Sequence, residues 1–329
     1  MKVNFSKEAN MALLEIKNLK TYFFIGKDQY PAVDDISFSL NKGETTAVIG
    51  ESGSGKSVTA LSIMGLVDHP GKVIAGQVLY KDEDLLNKKE RELQKIRGNE
   101  ISMIYQDPMT TLNPNIKVGR QIQESLEIHK IMKGQEAKDR TLDLMESVGI
   151  SDYKKRYDSL PNQFSGGMRQ RLMIAMAIAC NPKVLIADEP TTALDVTIQA
   201  EILDLLNELK EKQGMAMILN THDLGVVAEM ADDVVVMYCG KIMEKTSNKE
   251  LFKNPLNPYT QKLLQCIPKI DSKRERLEII DGYVPHPTEF PIGCRFSDRC
   301  HKVMKKCKEE LPDLIEVEEN HWVRCFLVE

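Results

Sequence analysis

The sequence predicts an α/β fold built on a largely parallel sheet, with its chemistry at the C-terminal ends of the strands. Three stretches carry that expectation. Thr45-Thr46-Ala47-Val48-Ile49 is an apolar strand that enters Gly50-Glu51-Ser52-Gly53-Ser54-Gly55-Lys56-Ser57, and Val58 to Leu66 then has helical spacing. Strand, glycine-rich loop and helix in that order fit G-x-x-x-x-G-K-[ST], the phosphate-binding loop. Lys183 to Ala187 is a nearly continuous apolar run ending in Asp188-Glu189-Pro190, and Met215 to Asn220 is another, ending in Thr221-His222-Asp223. Such runs belong to strands buried on both faces, as in parallel sheets, and open α/β sheets bind their ligands at the strands' C-terminal ends.

The chemistry of the loop follows from its residue types. Glycines at 50, 53 and 55 let the backbone curl with its amides pointing inward, where a Cβ would obstruct. The helix behind presents free N–H groups and roughly half a positive charge to an anion. Lys56 is placed to reach the β- and γ-phosphates of a nucleotide and Ser57 to ligate Mg²⁺. Asp188 suits a second, direct or water-mediated hold on Mg²⁺, and Glu189 suits a general base that polarises the attacking water. A lone histidine is more often structural, but His222 at a strand end can reach a γ-phosphate.

The remaining elements follow in order. Met1 to Asn10 is polar without a signal-peptide pattern, and residues 1–12 read as a tail. Leu13 to Lys20 and Ala32 to Leu40 read as strands; the aromatics Tyr22-Phe23-Phe24 between them are core residues or a platform for a purine. Gly76 to Asp84 gives a strand and turn, Lys88 to Arg97 a charged helix, Ile101 to Tyr105 a buried strand ending at Gln106, and 107–114, with two prolines, a loop. Gly119 to Met132 and Gln135 to Val148 read as amphipathic helices. Ser165 is an N-cap for a helix from Met168 to Cys180, and Gly166 and Gly167 open its N-terminus to an anion. Val196 to Lys212 reads as a helix, and Val234 to Tyr238 with Lys241 to Glu244 as a hairpin turning at Cys239-Gly240.

The totals bound the partners. With 329 residues, 42% apolar content and a net charge of −5, the chain has room for a main domain and an appendage, and no basic excess that points to nucleic acid. The longest apolar candidate, Leu172 to Ala179, falls far short of the ~20 residues that span a bilayer. A cytoplasmic protein is the expectation.

In this order the motifs resemble the ATP-binding subunits of ABC transporters over about residues 13–250: the phosphate loop, a Q-loop at Gln106, a signature at Ser165-Gly166-Gly167, a Walker-B strand ending at Asp188-Glu189, a D-loop at Ala193-Leu194-Asp195 and a switch histidine at His222. The resemblance implies a RecA-like parallel core, an antiparallel β subdomain, and a helical subdomain at about 107–180. It also implies an ATPase in which Ser52, Gly53, Ser54, Gly55, Lys56, Ser57 and Val58 hold the nucleotide. Gln106 senses Mg²⁺ and the γ-phosphate, His222 holds the γ-phosphate and the water, and the signature acts on a partner's ATP across a head-to-tail dimer. An aromatic five residues after the Asn18 position, Phe23, stacks on the base in such proteins, with Tyr22 the second choice. Met168 departs from the glutamine that commonly ends the signature, which removes a polar contact to the partner's nucleotide.

The Gln106-to-Pro114 and Ala187-to-Thr197 segments, with Asn257-Pro258-Tyr259-Thr260, are similar to the oligopeptide and dipeptide importer branch. That branch pairs two different ATPase subunits with two transmembrane subunits and an extracellular peptide-binding protein, and works at the cytoplasmic face of the membrane. The alternatives are the similar nickel-importing branch and a soluble ABC ATPase not coupled to transport.

Residues 251–329 form a proline-punctuated extension with Cys294, Cys300, Cys307 and Cys325 spaced C-x5-C-x6-C-x17-C. The spacing lacks the close pairs of structural zinc, disulfides are disfavoured in a reducing compartment, and an iron–sulfur cluster takes four thiolates with looser spacing. Cys294-Arg295-Phe296-Ser297-Asp298-Arg299-Cys300 resembles the C-terminal motif of dipeptide-importer ATPases, which implies a [4Fe–4S] cluster, although His301 stands where that branch has proline.

Overall fold

The computed structural model describes residues 12–192, 194–266 and 279–328. The expected N-terminal tail, apart from Ala12, and Ala193 of the D-loop lie outside the described residues.

The N-terminal strands form an antiparallel sheet in the order Asp28–Leu40, Leu14–Ile25, Gly71–Tyr80, Glu83–Asp84. Leu14, Ile16, Leu19, Val33, Ile36, Phe38 and Leu40 are buried on one side of it and share a core with Ala60, Ile63 and Met64 of the helix Lys56–Met64. The first strand runs five residues past its expected end. Asn18 takes up a bulge with φ +47, its N–H donating to Ser37 Oγ at 2.8 Å, so pairing resumes beyond it.

The second sheet has the order Ile315–Glu318, His321–Val323, Lys241–Ser247, Asp233–Tyr238, Thr45–Ile49, Ala216–Thr221, Val184–Asp188, Ile101–Ile104. Its last five strands are mutually parallel, and Thr45–Ile49, Val184–Asp188 and Ala216–Thr221 are buried at every position. That burial is the reason their sequences are apolar without alternation. The phosphate loop, Gln106, Glu189 and His222 all follow the C-terminal ends of these strands.

The helices Val118–Ile128, Gly134–Ser147 and Gly166–Ile178 share a core of Ile122, Leu126, Leu144, Met145, Leu172 and Met173. Gly119 is required there, because a Cβ would lie 2.2 Å from the Tyr157 ring. Within 107–114, expected as loop, Pro108–Thr111 is one helical turn. Asp107 caps it, accepting from the Met109 N–H at 2.8 Å, and Pro108 occupies a first-turn position that needs no N–H donor.

The C-terminal extension packs against the sheet. Tyr238, Tyr259 and Phe296 form a buried trio with ring centroids 4.7 to 5.3 Å apart. The hairpin Ile315–Glu318 and His321–Val323 pairs with Lys241–Ser247. Beneath it the buried Glu244 carboxylate accepts from the Leu256 and Asn257 N–H groups at 2.8 and 3.0 Å and meets His321 Nε2 at 2.7 Å. Sheet, extension and hairpin therefore share buried polar contacts as well as apolar ones. Among the described residues no helix is long and apolar enough to cross a membrane.

Candidate active site

A cleft of about 870 Å³ opens at the C-terminal edge of the parallel sheet. Ser52, Gly53, Ser54, Gly55, Lys56, Ser57, Val58, Gln106, Glu189 and His222 all line it, so residues separated by up to 170 positions converge as the motifs predict. Two glycines make the loop possible. Gly50 and Gly55 hold φ of +151° and +106°, and a Cβ on either would sit 2.2 Å from Met237 O or 2.4 Å from Ala32 O. Gly55 N-caps the helix Lys56–Met64, leaving its first N–H groups at the cleft.

Lys56 Nζ donates to Gly50 O at 2.8 Å and Glu51 O at 3.3 Å, and lies 3.6 Å from Glu189 Oε1. Burial pushes its pKa down, while the Glu189 and Asp188 carboxylates oppose that shift. The ammonium group is thus held at the loop before a phosphate arrives. Ser57 Oγ donates to Asp188 Oδ1 at 3.0 Å, and Asn220 Nδ2 donates to the same oxygen at 2.8 Å. Ser57 and Asp188 are oxygen donors side by side, which fits a hard divalent cation shared with a triphosphate.

Glu189 collects the other groups. Its Oε2 accepts from Gln106 Nε2 and Thr192 Oγ1, each at 3.0 Å, and lies 3.5 Å from His222 Nδ1. Glu189 holds φ +48°, a left-handed conformation that a glutamate adopts only when its surroundings impose it. Its N–H donates to Asn220 O at 2.9 Å, which fixes that geometry. The His222 side chain is 61% exposed at the cleft.

Burial raises the Asp188 pKa, with the neighbouring Glu189 charge adding to the rise against donation from Asn220 and Ser57. A raised carboxylate pKa means that the folded chain favours the protonated form. This group's contribution to nucleotide-free stability is therefore full below the ordinary value near 3.8 and lost as pH rises through the folded value. Asp188→Asn keeps an oxygen for both donors and removes the buried charge. We expect it to raise Tm of the nucleotide-free protein at pH 7 while abolishing Mg²⁺-dependent hydrolysis; calorimetry and phosphate release check the two halves separately.

The signature lies elsewhere. Ser165 caps the helix Gly166–Ile178, accepting from the Met168 N–H at 3.4 Å, and Ser165 and Gly166 are exposed away from this chain's cleft. Gly167 abuts Ile198, whose Cγ2 would lie 2.7 Å from a Cβ there. Met168 turns into the helical core, its sulfur 3.9 Å from Arg156 Nη1.

Phe23, the aromatic expected to stack on the base, stands on the first strand of the N-terminal sheet. A register shift between Thr21 and Tyr22 follows the Asn18 bulge, and the Phe23 ring lies over Gly71, 2.9 Å from where a Cβ would stand. The hydroxyl of Tyr22, the second choice, donates to Asp34 Oδ1 at 2.9 Å.

Sequence reasoning missed the C-terminal residues that hold the phosphate loop. Arg299 grips Glu51 with two bonds, Nη1 to Oε2 at 2.8 Å and Nη2 to Oε1 at 2.9 Å. Tyr259 Oη accepts from the Glu51 N–H at 3.0 Å. The only signal was the unassigned variable position of the motif, a glutamate.

Cys294, Cys300, Cys307 and Cys325 line one small cavity, with Lys302, Arg324 and the Phe296 and Phe326 rings. Burial pushes the Cys294 thiol up to about 11, and the Cys307, Cys325 and Cys300 sulfurs add to the rise. Among the described residues no three of these sulfurs lie within 4.8 Å of one another. Cys180 and Cys239 are buried and do not line that cavity.

Comparison with known proteins agrees with this geometry. Residues 33–192 match the ABC transporter family model and residues 243–307 match that of the oligopeptide/dipeptide transporter C-terminal region. The oligopeptide transport ATP-binding protein AppD of Bacillus subtilis is 53% identical over 318 residues, covering 96% of this chain and 97% of its own. The chain belongs to the ATP-binding subunits of the oligopeptide/dipeptide ABC transporter family. The dipeptide transport ATP-binding protein DppD of Escherichia coli is 46% identical over 315 residues, covering 96% of each chain. A solved structure of the ATP-binding cassette MJ0796, dimeric and bound to ADP and Pi, superposes with a TM-score of 0.65 at 27% identity, over 71% of this chain and 98% of its own. The chain is an ABC-type ATPase, and its Ser165 and Gly166 are exposed.

Proposed function

We propose that this protein is the ATP-hydrolysing motor of a membrane importer for di- and oligopeptides. One observation carries the reading: similarity to peptide-transport ATP-binding proteins runs through the whole chain, C-terminal region included. Lys56 and the loop amides hold the triphosphate, Ser57 and Asp188 hold Mg²⁺ with Gln106 sensing it, and Glu189 takes the proton of the attacking water while His222 holds the γ-phosphate. Ser165, Gly166 and Gly167 face the nucleotide of a second, different ATPase subunit. The exposed signature and the dimeric relative support that arrangement. Two transmembrane subunits dock at the Gln106 loop on the cytoplasmic face of the membrane, and an extracellular peptide-binding protein delivers substrate. Residues 13–250 form the ATPase domain, with its helical subdomain at about 107–180, and residues 251–329 form the extension. The test is uptake by the reconstituted transporter: a labelled dipeptide should accumulate only with ATP, and accumulation of Ni²⁺ instead would select the nickel branch.

The four cysteines fit a [4Fe–4S] cluster better than a single zinc ion. Tetrahedral Zn–S bonds of about 2.3 Å put sulfurs roughly 3.8 Å apart, closer than the spread found here. The apolar lining and the Leu327 N–H at 3.5 Å from Cys325 Sγ also suit thiolates sharing a larger group. Protein purified without oxygen should be brown and carry about four irons per chain, and Cys300→Ser should lose them. One zinc and no iron would rule the cluster out.

A further inference from the structure

The phosphate loop carries a group at odds with its task. Glu51 puts a carboxylate at the second position of a loop whose amides and ammonium group are arranged to hold a polyanion. Among the described residues that line the cleft, Lys56 is the one lysine or arginine, against the carboxylates of Glu51 and Glu189. Left bare, the Glu51 charge would repel incoming phosphates and draw on Lys56, which already feels it along with the charges of Glu189 and Asp188. Arg299 meets that carboxylate at both oxygens, Nη1 to Oε2 at 2.8 Å and Nη2 to Oε1 at 2.9 Å. Its side chain is 5% exposed and is aimed by three further bonds, to Asp281 O at 2.9 Å, Ile280 O at 3.2 Å and Tyr238 Oη at 3.3 Å. Burial works against its charge, but the bonds to Glu51 and Tyr238 outweigh it and hold the guanidinium above its ordinary range.

We propose that Arg299 of the C-terminal extension is the counter-charge that lets a glutamate-bearing phosphate loop accept a polyphosphate. This rests on the ATPase reading and deepens it. Arg299 acts through Glu51, as a positioning residue. A second role for the pair, bracing the loop's shape, is weaker on the geometry, because the backbone of Glu51 is held without the carboxylate. Its N–H donates to Tyr259 Oη at 3.0 Å, and its carbonyl accepts from the Ser54 N–H at 3.1 Å and from Lys56 Nζ at 3.3 Å. What Arg299 adds at Glu51 is charge. The two roles differ in sign for one variant. Glu51→Gln keeps the shape of the side chain and an oxygen for Arg299, and it leaves the guanidinium unneutralised beside the loop. A counter-charge then attracts phosphate more strongly than in the wild type, whereas a weakened brace binds it less well.

The experiment is equilibrium titration of the full chain with Mg²⁺·ATP and with inorganic tripolyphosphate, which has the phosphates and no base, with circular dichroism to confirm each fold. Arg299→Ala should weaken both ligands about tenfold at low salt, and the loss should shrink as salt rises. Arg299→Lys, which keeps the charge without the two-pronged geometry, should restore most of the affinity. Glu51→Gln should bind both ligands more tightly than the wild type, and Glu51→Gln with Arg299→Ala should return close to wild-type affinity. Glu51→Gln that binds no more tightly than the wild type, a double variant as weak as Arg299→Ala, or a loss that salt does not change would overturn the proposal. The sign for Glu51→Gln decides the matter even if Arg299→Ala does not fold. Wild-type protein that binds neither ligand would refute the ATPase reading beneath the proposal, which separates the two failures.

Discussion

Glu189→Gln should bind Mg²⁺·ATP at least as tightly as the wild type and hydrolyse it about 10³-fold more slowly, the scale of a lost general base. The substitution is nearly isosteric. The glutamine carbonyl still accepts from Gln106 Nε2 and Thr192 Oγ1, now at 3.0 Å from Glu189 Oε2, so the left-handed turn at this residue keeps its supports. Lys56, Ser57 and Asp188 are untouched, so the triphosphate and cation contacts persist. What disappears is a site for the proton released when water attacks, together with a negative charge beside the incoming γ-phosphate. Losing that charge frees Lys56, held 3.6 Å away, for the nucleotide alone. Single-turnover hydrolysis and ATP titration on the complete transporter measure the two effects separately. Near-normal turnover would remove Glu189 from the chemistry and leave His222, 3.5 Å from it, as the group to examine.

The parts of the site written in consecutive residues were legible in the sequence. The phosphate loop needs glycines at positions whose backbone admits no Cβ, and Gly50 and Gly55 show that requirement directly. Strands buried on both faces must be apolar throughout, so Val184–Asp188 and Ala216–Thr221 announced both themselves and the carboxylate and histidine beyond them. The surroundings of the N-terminal aromatic were not legible, because spacing along a strand holds only where the strand is regular. The bulge at Asn18 and the shift after Thr21 set the Phe23 ring beside Gly71. The Pro108–Thr111 turn was hidden by its proline, which breaks a helix in its interior but suits its first turn.

The contribution of the extension had no local signature. Arg299 reaches Glu51 across 248 residues, and Tyr259 reaches the same residue across 208. Neither contact follows a helical or strand period. Both depend on the trio Tyr238, Tyr259 and Phe296 that seats the extension against the sheet. The four cysteines were conspicuous as residue types, but only the packing of Phe296, Pro312 and Phe326 around them brings them to one cavity.

The central claim is that a curled backbone and one buried ammonium group hold a nucleoside triphosphate. Lys56 is 5% exposed, donates to the loop's own carbonyls and has carboxylates as its charged neighbours, so in the resting protein it closes the loop on itself. An arriving phosphate replaces neutral carbonyls with charged oxygens, and charge-assisted bonds of this kind are worth about 1.5–3 kcal/mol each. Lys56→Ala removes them, and nothing else in the loop carries a full positive charge. The most direct measurement is equilibrium titration of Mg²⁺·ATP onto the full chain and onto Lys56→Ala, with circular dichroism to confirm that the variant is folded. The wild type should bind one nucleotide per chain and the variant about 100-fold more weakly or not at all. A folded Lys56→Ala that binds ATP with wild-type affinity would contradict the account.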